Sequence, residues 1–439
     1  MKNHPHGVTP RLKPLPSKKS IDISVLDVGT SKIACLIGRL KPVESGPALG
    51  RTHRIEVLGI GHQRARGIKA GAVVDMEAAE HSIRLAVDSA ERMADARIES
   101  LIVSVSAGRL GSELYNATVP VAGRTIAEAD IQRVLRAGAD HSVRPDRSVL
   151  HSMPVGFGLD GTRGIRDPRG MVGSELGLDM HVVTAEEAPV RNLMLCIERC
   201  HLEVQTLVAS PYASGLSVLA DDEAEIGVTL VDMGAGTTTV AVFSGGNLIH
   251  VDAMALGGNH VTLDIARGLS TSLDDAERLK TLYGSVFSTS SDEREMIAVT
   301  PVGEDDNDHG HHVPKSHLFR IVKPRVEETL ELVRDRLRAS GYAAEAGKRI
   351  VLTGGACQLT GLPDLAGQIL GRHVRIGRPL GVRGLPEGAK GPSFATGVGL
   401  LVYPQRAGEE HFESARPAMR ATGTDGYLSR VGHWLKESF

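Results

Sequence analysis

At 439 residues the chain is too long for one hydrophobic core and is expected to divide into several subdomains. An apolar fraction of 41% with 50 glycines fits a folded protein rich in turns, and a net charge of -3 leaves no surplus of Lys and Arg for nucleic acid as a general partner. The four cysteines (Cys35, Cys196, Cys200, Cys357) are too few for a disulfide framework, and no apolar signal core follows the basic N-terminus, so a reducing, cytoplasmic setting is expected.

Residues 1–20 hold four prolines, scattered Lys and Arg and no acidic residue, which predicts a disordered basic extension suited to an anionic surface. The run 21–36, IDISVLDVGTSKIACL, reads as strand, tight turn, strand. A strand is expected over 55–63. A helix is expected over 77–94, with Ile83, Ala86, Val87, Ala90 and Met93 at helical spacing. The mostly apolar run 100–106 predicts a buried strand. From there to about 181 the pattern changes to small β-rich units broken by Gly-containing turns, with one helix at 129–139, as an inserted subdomain would read.

The α/β alternation returns at 182–183, in a helix over 190–199 and a strand over 204–209. Then 227–243, GVTLVDMGAGTTTVAVF, repeats the design of the first hairpin. A helix is predicted over 273–282, with Asp274 and Asp275 in its first turn, where negative charge suits the helix dipole. Residues 301–312, acidic and histidine-rich, read as a solvated loop, with a metal site as the less favoured alternative. Val326, Leu330, Val333 and Leu337 share one face of a helix over 324–340. The strand 350–357, IVLTGGAC, runs into a Gly-Gly turn before a helix that follows Pro363. The apolar run 397–403 stops at Pro404, and 404–425 is polar and aperiodic, a linker.

Two hairpins, each led by an aspartate and a glycine-bearing turn, point to phosphate. Backbone N–H groups converge in such turns, and carboxylates beside phosphates are tolerable only with a divalent cation present. Asp27 and Asp232 would thus serve ATP with Mg²⁺, the metal held through water. Other nucleotide signatures fit poorly. In 341–349, GYAAEAGKR, the spacing is one residue too long for a P-loop, and Arg349 stands where Ser or Thr is needed. The turn around Ala235 has Thr239 where a dinucleotide fingerprint needs a third glycine. Cys196 and Cys200, four apart in a helical pattern, are read as buried thiols in preference to metal ligands.

The last 14 residues, 426–439, GYLSRVGHWLKESF, place Leu428, Val431, Leu435 and Phe439 on one helical face with Trp434 at its edge. At ~1.5 Å per residue such a helix is about 20 Å long, too short to span a bilayer and suited to lying in its interface. Docking back onto the core is the alternative.

The order LDVGTSK, LVDMGAGTTTV, DDAERLK, VLTGGACQLTGL resembles the superfamily of actin and the heat-shock chaperone ATPases, and within it the chain is similar to the bacterial cell-division FtsA family over about 20–403 and at the C-terminal tip. The resemblance implies an α/β, actin-like fold of two duplicated subdomain pairs with an inserted SHS2-like subdomain called 1C. Its divisions would be 21–98 and 182–225 (1A), 99–181 (1C), 226–257 and 346–403 (2A, with the return to 1A in the latter), and 258–345 (2B).

By that resemblance Asp27, Gly29, Thr30, Ser31 and Lys32 match the first phosphate motif, and Asp232, Gly234, Gly236, Thr237 and Thr238 the second. Glu277 and Lys280 match the adenosine-contacting helix, and Gly354 and Gly355 the adenosine motif. Ala235 stands where relatives have the middle of three glycines, and Thr239 where many have an acidic residue, which implies slow or negligible hydrolysis. The implied role is a septal tether at the cytoplasmic face of the inner membrane. It would join FtsZ filaments to the membrane, polymerise and recruit later division proteins, with 2B meeting FtsZ and 1C meeting later proteins or neighbouring subunits. A sugar kinase or chaperone of the superfamily is the competing reading. No acceptor cleft or extra catalytic carboxylate identifies a kinase, and too few residues follow Val402 for a peptide-binding domain.

Overall fold

A computed structural model of the protein describes residues 12, 14–43, 51–140, 146–302 and 311–410. The first half opens with β1 (Ile21–Val28), β2 (Lys32–Pro42) and β3 (His53–Arg64), an antiparallel meander. A small hairpin, β4 (Ile68–Lys69) and β5 (Ala72–Val73), precedes α1 (Met76–Ala94). Asp75 caps α1 by accepting from the Ala78 N–H, and Asp95 closes it in the left-handed region, which Asp tolerates. Ile83, Ala86, Val87 and Ala90 are buried as their spacing predicts, whereas Met93 is half exposed. β6 (Ser100–Val105) lies parallel beside β1.

The insertion follows as β7 (Gly111–Pro120), α2 (Glu128–Asp140), β8 (Arg147–Leu159), β9 (Thr162–Ile165) and β10 (Glu175–Glu186). α3 (Glu187–Arg199) and β11 (Glu203–Ala209) return to the first sheet, and α4 (Ser210–Val218) and α5 (Asp221–Ile226) lead onward.

The second half repeats the plan with β12 (Val228–Met233), β13 (Thr238–Ser244) and β14 (Asn247–Met254). Next come α6 (Gly258–Leu269), α7 (Leu273–Tyr283), β15 (Met296–Val299), β16 (His311–Pro314) and α8 (Lys315–Ala339). β17 (Arg349–Thr353), α9 (Leu362–Leu370) and β18 (His373–Ile376) complete its sheet. β19 (Val382–Arg383) and α10 (Ala395–Val402) then cross back to the first half.

The duplication is visible in strand order. The first sheet runs β11-β6-β1-β2-β3-β19, and the second begins β18-β17-β12-β13-β14. In each, an antiparallel hairpin lies beside two parallel strands that arrive by crossovers, so each hairpin turn stands at the same end of its own sheet. Separate apolar cores form around the two halves, and a third lies between α2 and its strands.

The second sheet continues beyond β14 through β7, β10, β8 and β9, so the insertion extends it to nine strands. The join is narrow. Asp252 pairs with Gly111, and the Ser112 hydroxyl accepts from the Val251 N–H at 2.7 Å, standing in for a ladder bond.

Several expected boundaries change. β6, placed in the 99–181 insertion from sequence, belongs to the first sheet because it pairs in parallel with β1 and β11. β10 passes unbroken through the expected boundary at 181, and its inner residues Val183 and Ala185 join the first core. α8 starts at Lys315 and not at 324: Pro324 sits inside it on an exposed face, where the interrupted turn is open to water. The strand in the run 350–357 ends at Thr353, ahead of its Gly-Gly turn as expected, and a 3-10 turn, Gly355–Gln358, follows.

Two stretches expected to be loose are packed where they are described. Leu12 and Leu15 pack on the first core, and the Pro16 carbonyl lies 3.2 Å from His53 Nε2, so these described residues of the 1–20 extension rest against the body. Pro404 does not begin a free linker, because the chain continues in short 3-10 turns and ends its described part at Glu410. Glu410 is buried, and its carboxylate accepts from His151 Nδ1 at 3.0 Å. That donor assignment follows from the opposite nitrogen, Nε2, which accepts from the Ala209 N–H at 2.9 Å.

Candidate functional site

The turns after β1 and β12 have the same internal bond. Gly29 N–H donates to Lys32 O at 3.0 Å, and Gly234 N–H donates to Thr237 O at 2.8 Å. They face each other: a Cβ built on Gly236 would lie 2.5 Å from Thr30 Oγ1, so the second turn needs a glycine to come this close to the first. The Thr30 hydroxyl accepts from Gly71 N–H at 3.0 Å, which anchors the first turn to the β4–β5 hairpin.

Behind the turns the two aspartates lie close enough to influence each other electrostatically, with Lys32 beside both. Burial, with the Asp27 charge adding to it, pushes the Asp232 carboxyl up to about 6 against the opposing pull of Ser214, Thr396 and Lys32. Burial likewise raises Asp27, against Lys32 and Ser104. Lys32 is pushed down to about 8 by burial; its ammonium donates to the Ser393 carbonyl at 2.6 Å and sits 3.3 Å over the Phe394 ring. Two carboxylates sharing one cation in a partly dehydrated cleft form a donor set that suits a divalent ion.

The other expected residues gather around the second turn. Gly234 O accepts from Gly258 N–H at 3.0 Å and Ala235 O from Asn259 N–H at 2.8 Å, so the start of α6 holds the turn's carbonyls. Lys280 Nζ donates to Gly258 O at 3.2 Å, to Thr262 Oγ1 at 2.8 Å and to Glu277 Oε2 at 2.6 Å. Gly258 therefore links the Glu277–Lys280 pair of α7 to the second turn, and a Cβ on it would also come 3.2 Å from Ala356. Gly354, at φ 84°, lies against Asp232, where a Cβ would approach Oδ1 to 2.4 Å and Met233 O to 2.5 Å. Gly355 and Ser31 are exposed at the rim, and Thr237 is partly exposed.

Thr238 differs from the sequence expectation. It is the first residue of β13 and has no exposed surface, and its hydroxyl, like that of Thr239, has no hydrogen-bond partner among the described residues. At the mouth, Arg64 of β3 meets Asp274 of α7 at 2.9 Å, a solvated contact between the halves that contributes little energy.

Sequence reasoning missed Ser104, Ser214 and Thr396, the hydroxyls that hold the aspartates, and the Ser393–Phe394 seat of Lys32. They arrive from distant elements and show no local motif. Gly258 was legible in principle, since the pair Gly257–Gly258 opens α6 as Gly354–Gly355 opens the turn after β17.

Among the described residues no group of three or more His, Cys, Asp or Glu could hold a metal by itself. The thiols of Cys196 and Cys200 face the carbonyls of Met76 and Glu80; Cys196 is buried as expected, and Cys200 is partly exposed. Most of the 301–312 segment lies outside the described residues, as do Leu428, Val431, Trp434, Leu435 and Phe439. No described helix is long and apolar enough to cross a membrane.

Comparison with known proteins bears on this architecture directly. The model described as "Cell division protein FtsA" matches residues 229–399, and that of the "SHS2 domain inserted in FTSA" matches 107–184. A cell division protein FtsA from Rhizobium meliloti (strain 1021) is 57% identical over 98% of this chain and 98% of its own. The chain belongs to the FtsA family of cell division proteins.

Solved structures agree on the fold. The chain is similar to the one titled "PilM-PilN type IV pilus biogenesis complex" (TM-score 0.59, 17% identity, 88% of this chain and 99% of that one). It is also similar to MreB5 of Spiroplasma citri bound to ADP (TM-score 0.50, 12% identity, 88% and 97%). An actin-like α/β fold with an SHS2 insertion is thus established for this FtsA family member. The insertion begins at about 107, after β6, in keeping with the strand pairing and not with the sequence boundary at 99.

Proposed function

We propose that this FtsA family member binds one ATP with Mg²⁺ between its two aspartate-led turns and tethers FtsZ filaments to the cytoplasmic face of the inner membrane at the septum. The observation that carries the nucleotide reading is the tip-to-tip approach of the turns at Thr30 and Gly236, which brings both glycine-bearing turns and both aspartates to one place. Gly29, Thr30, Ser31 and Lys32 would face the phosphates from one side and Gly234, Gly236 and Thr237 from the other, with Thr238 contributing through the packing of β13. Glu277, Lys280, Gly354 and Gly355 would border the adenosine. Asp27 and Asp232 would hold Mg²⁺ through water, the cation supplying the positive charge that lets carboxylates and phosphates share a cleft.

Turnover would be slow or negligible. Asp27 and Asp232 are engaged with hydroxyl donors, and the Thr239 hydroxyl is buried away from solvent. Self-association into filaments, contact of 258–345 with FtsZ and contact of the insertion with later division proteins belong to the same reading. No observation favours a kinase or chaperone role.

The tether rests on 426–439. A single interfacial helix binds weakly, so filament formation would supply the avidity. Removing 426–439 is expected to release the protein from anionic lipid vesicles in a sedimentation assay, while ATP binding stays. Unchanged sedimentation of the shortened chain would contradict the tether.

A further inference from the structure

The two aspartates are held in the same unusual way, each by one oxygen and by a buried hydroxyl from a neighbouring element. Ser104 on β6 accepts from the Val28 N–H at 3.0 Å and lies 2.8 Å from Asp27 Oδ1. The backbone donor engages the serine oxygen from one side, so the hydroxyl proton goes to the carboxylate. Ser214 on α4 lies 2.6 Å from Asp232 Oδ2, and Thr396 on α10 lies 2.9 Å from Ser214 Oγ and 3.4 Å from the same carboxylate oxygen. Here too one hydroxyl backs another that donates to the aspartate.

Ser104 and Ser214 are 1% and 0% exposed. Packing alone would favour Ala at both places, because a buried hydroxyl weakens a fold unless it has a partner, and the partner here is a carboxylate that is itself costly to bury. The opposite oxygen of Asp232, Oδ1, is turned to Gly354, the residue with no side chain to obstruct it.

We propose that Ser104 and the Ser214–Thr396 pair are positioning residues for the cation: they fix one oxygen of each aspartate, so that the other would be available to a divalent ion accompanying the nucleotide. This rests on the nucleotide reading above and adds to it a division of labour. The turns bind phosphate by backbone, whereas β6, α4 and α10 set the response to Mg²⁺. Substitutions at the three hydroxyls should therefore affect only the affinity gained from the metal.

The test is calorimetric titration of the full chain with ATP, once with Mg²⁺ and once with excess EDTA, for wild type, Ser104→Ala, Ser214→Ala, Thr396→Val and Thr396→Ser. Loss of a hydrogen bond to a charged group predicts roughly tenfold weaker ATP binding in Mg²⁺ for Ser104→Ala and Ser214→Ala, with changes under about twofold in EDTA. Thr396→Val should move the same way, and Thr396→Ser, which keeps the hydroxyl, should restore wild-type behaviour. Equal losses with and without Mg²⁺, or no loss in Mg²⁺, overturn the proposal. Thermal melting of each nucleotide-free variant checks folding, and should either alanine variant fail to fold, the Thr396 pair decides the matter. If the wild type binds no ATP in either buffer, the nucleotide reading itself falls, an outcome distinct from failure of the positioning role.

Discussion

Asp232 shows how much the cleft costs the protein when no ligand is present. Its folded carboxyl titrates at about 6, above its ordinary value of 3.8, so the native state holds a proton more tightly than the unfolded chain does. Its contribution to stability is therefore greatest below the unfolded value and falls as pH rises from about 4 through about 6, by on the order of 3 kcal/mol. Asp232→Asn should remove this loss. In urea unfolding of metal-free protein, the stability of the variant relative to wild type is expected to rise between pH 4 and 7, and a difference constant with pH would contradict the burial argument.

Gly354→Ala acts on the same carboxylate from the other side. A methyl 2.4 Å from Asp232 Oδ1, at φ 84°, should cost about 1–3 kcal/mol of stability and weaken ATP binding with it. Wild-type affinity in a stable Gly354→Ala protein would count against the packing of Gly354 on Asp232.

The residues legible in sequence are those whose chemistry is local. Asp27, Gly29 and Thr30, like Asp232, Gly234 and Gly236, declare themselves because a turn concentrates them in a few positions. Ser104 stands as one small polar residue in an apolar strand, and Ser214 as one among several in a helix, so nothing nearby distinguishes them from surface residues.

Among elements, pattern locates α1, α2, α3, α7, the two hairpins and β3, β6, β11 and β17, and it fails where a rule about one residue type competes with the surroundings. Pro324 reads as a helix start, yet its ring faces solvent on α8 while Val322 and Val326 on either side are buried. Pro404 reads as the start of a linker, yet it is buried beside Tyr403, which belongs to the first core.

The end of the body is instead fixed by a side chain that sequence gives no reason to select. His151 lies between the Tyr212 and Tyr403 rings and donates to Glu410, tying the insertion, α4 and the chain's exit into one packed corner. Glu410→Ala should leave the His151 N–H buried without an acceptor, costing about 1–3 kcal/mol, and should loosen 404–410. Hydrogen exchange of that segment is expected to quicken in the variant, and unchanged protection would show that the 3-10 turns hold without the bond. The place from which the tail leaves the body is thus set by the insertion as well as by the first half.

For the molecule as a whole, duplication is the organising fact. Two sheets of the same strand order put equivalent turns at equivalent edges, and α4 and α10, which cross between the halves, bring those turns face to face. Sequence revealed the repeat because each hairpin is contiguous, and the family resemblance supplied the way the halves close. The continuous nine-stranded sheet was not legible, since its join depends on one residue pair and one serine hydroxyl far apart in the chain.

The cleft between the turns is where the account is most exposed to test. Calorimetric titration of the intact chain with ATP should give one site per chain whose affinity rises with Mg²⁺, and Asp232→Asn should lose most of that rise while remaining folded. Absence of Mg²⁺-dependent binding of ATP in a folded wild-type protein would contradict it.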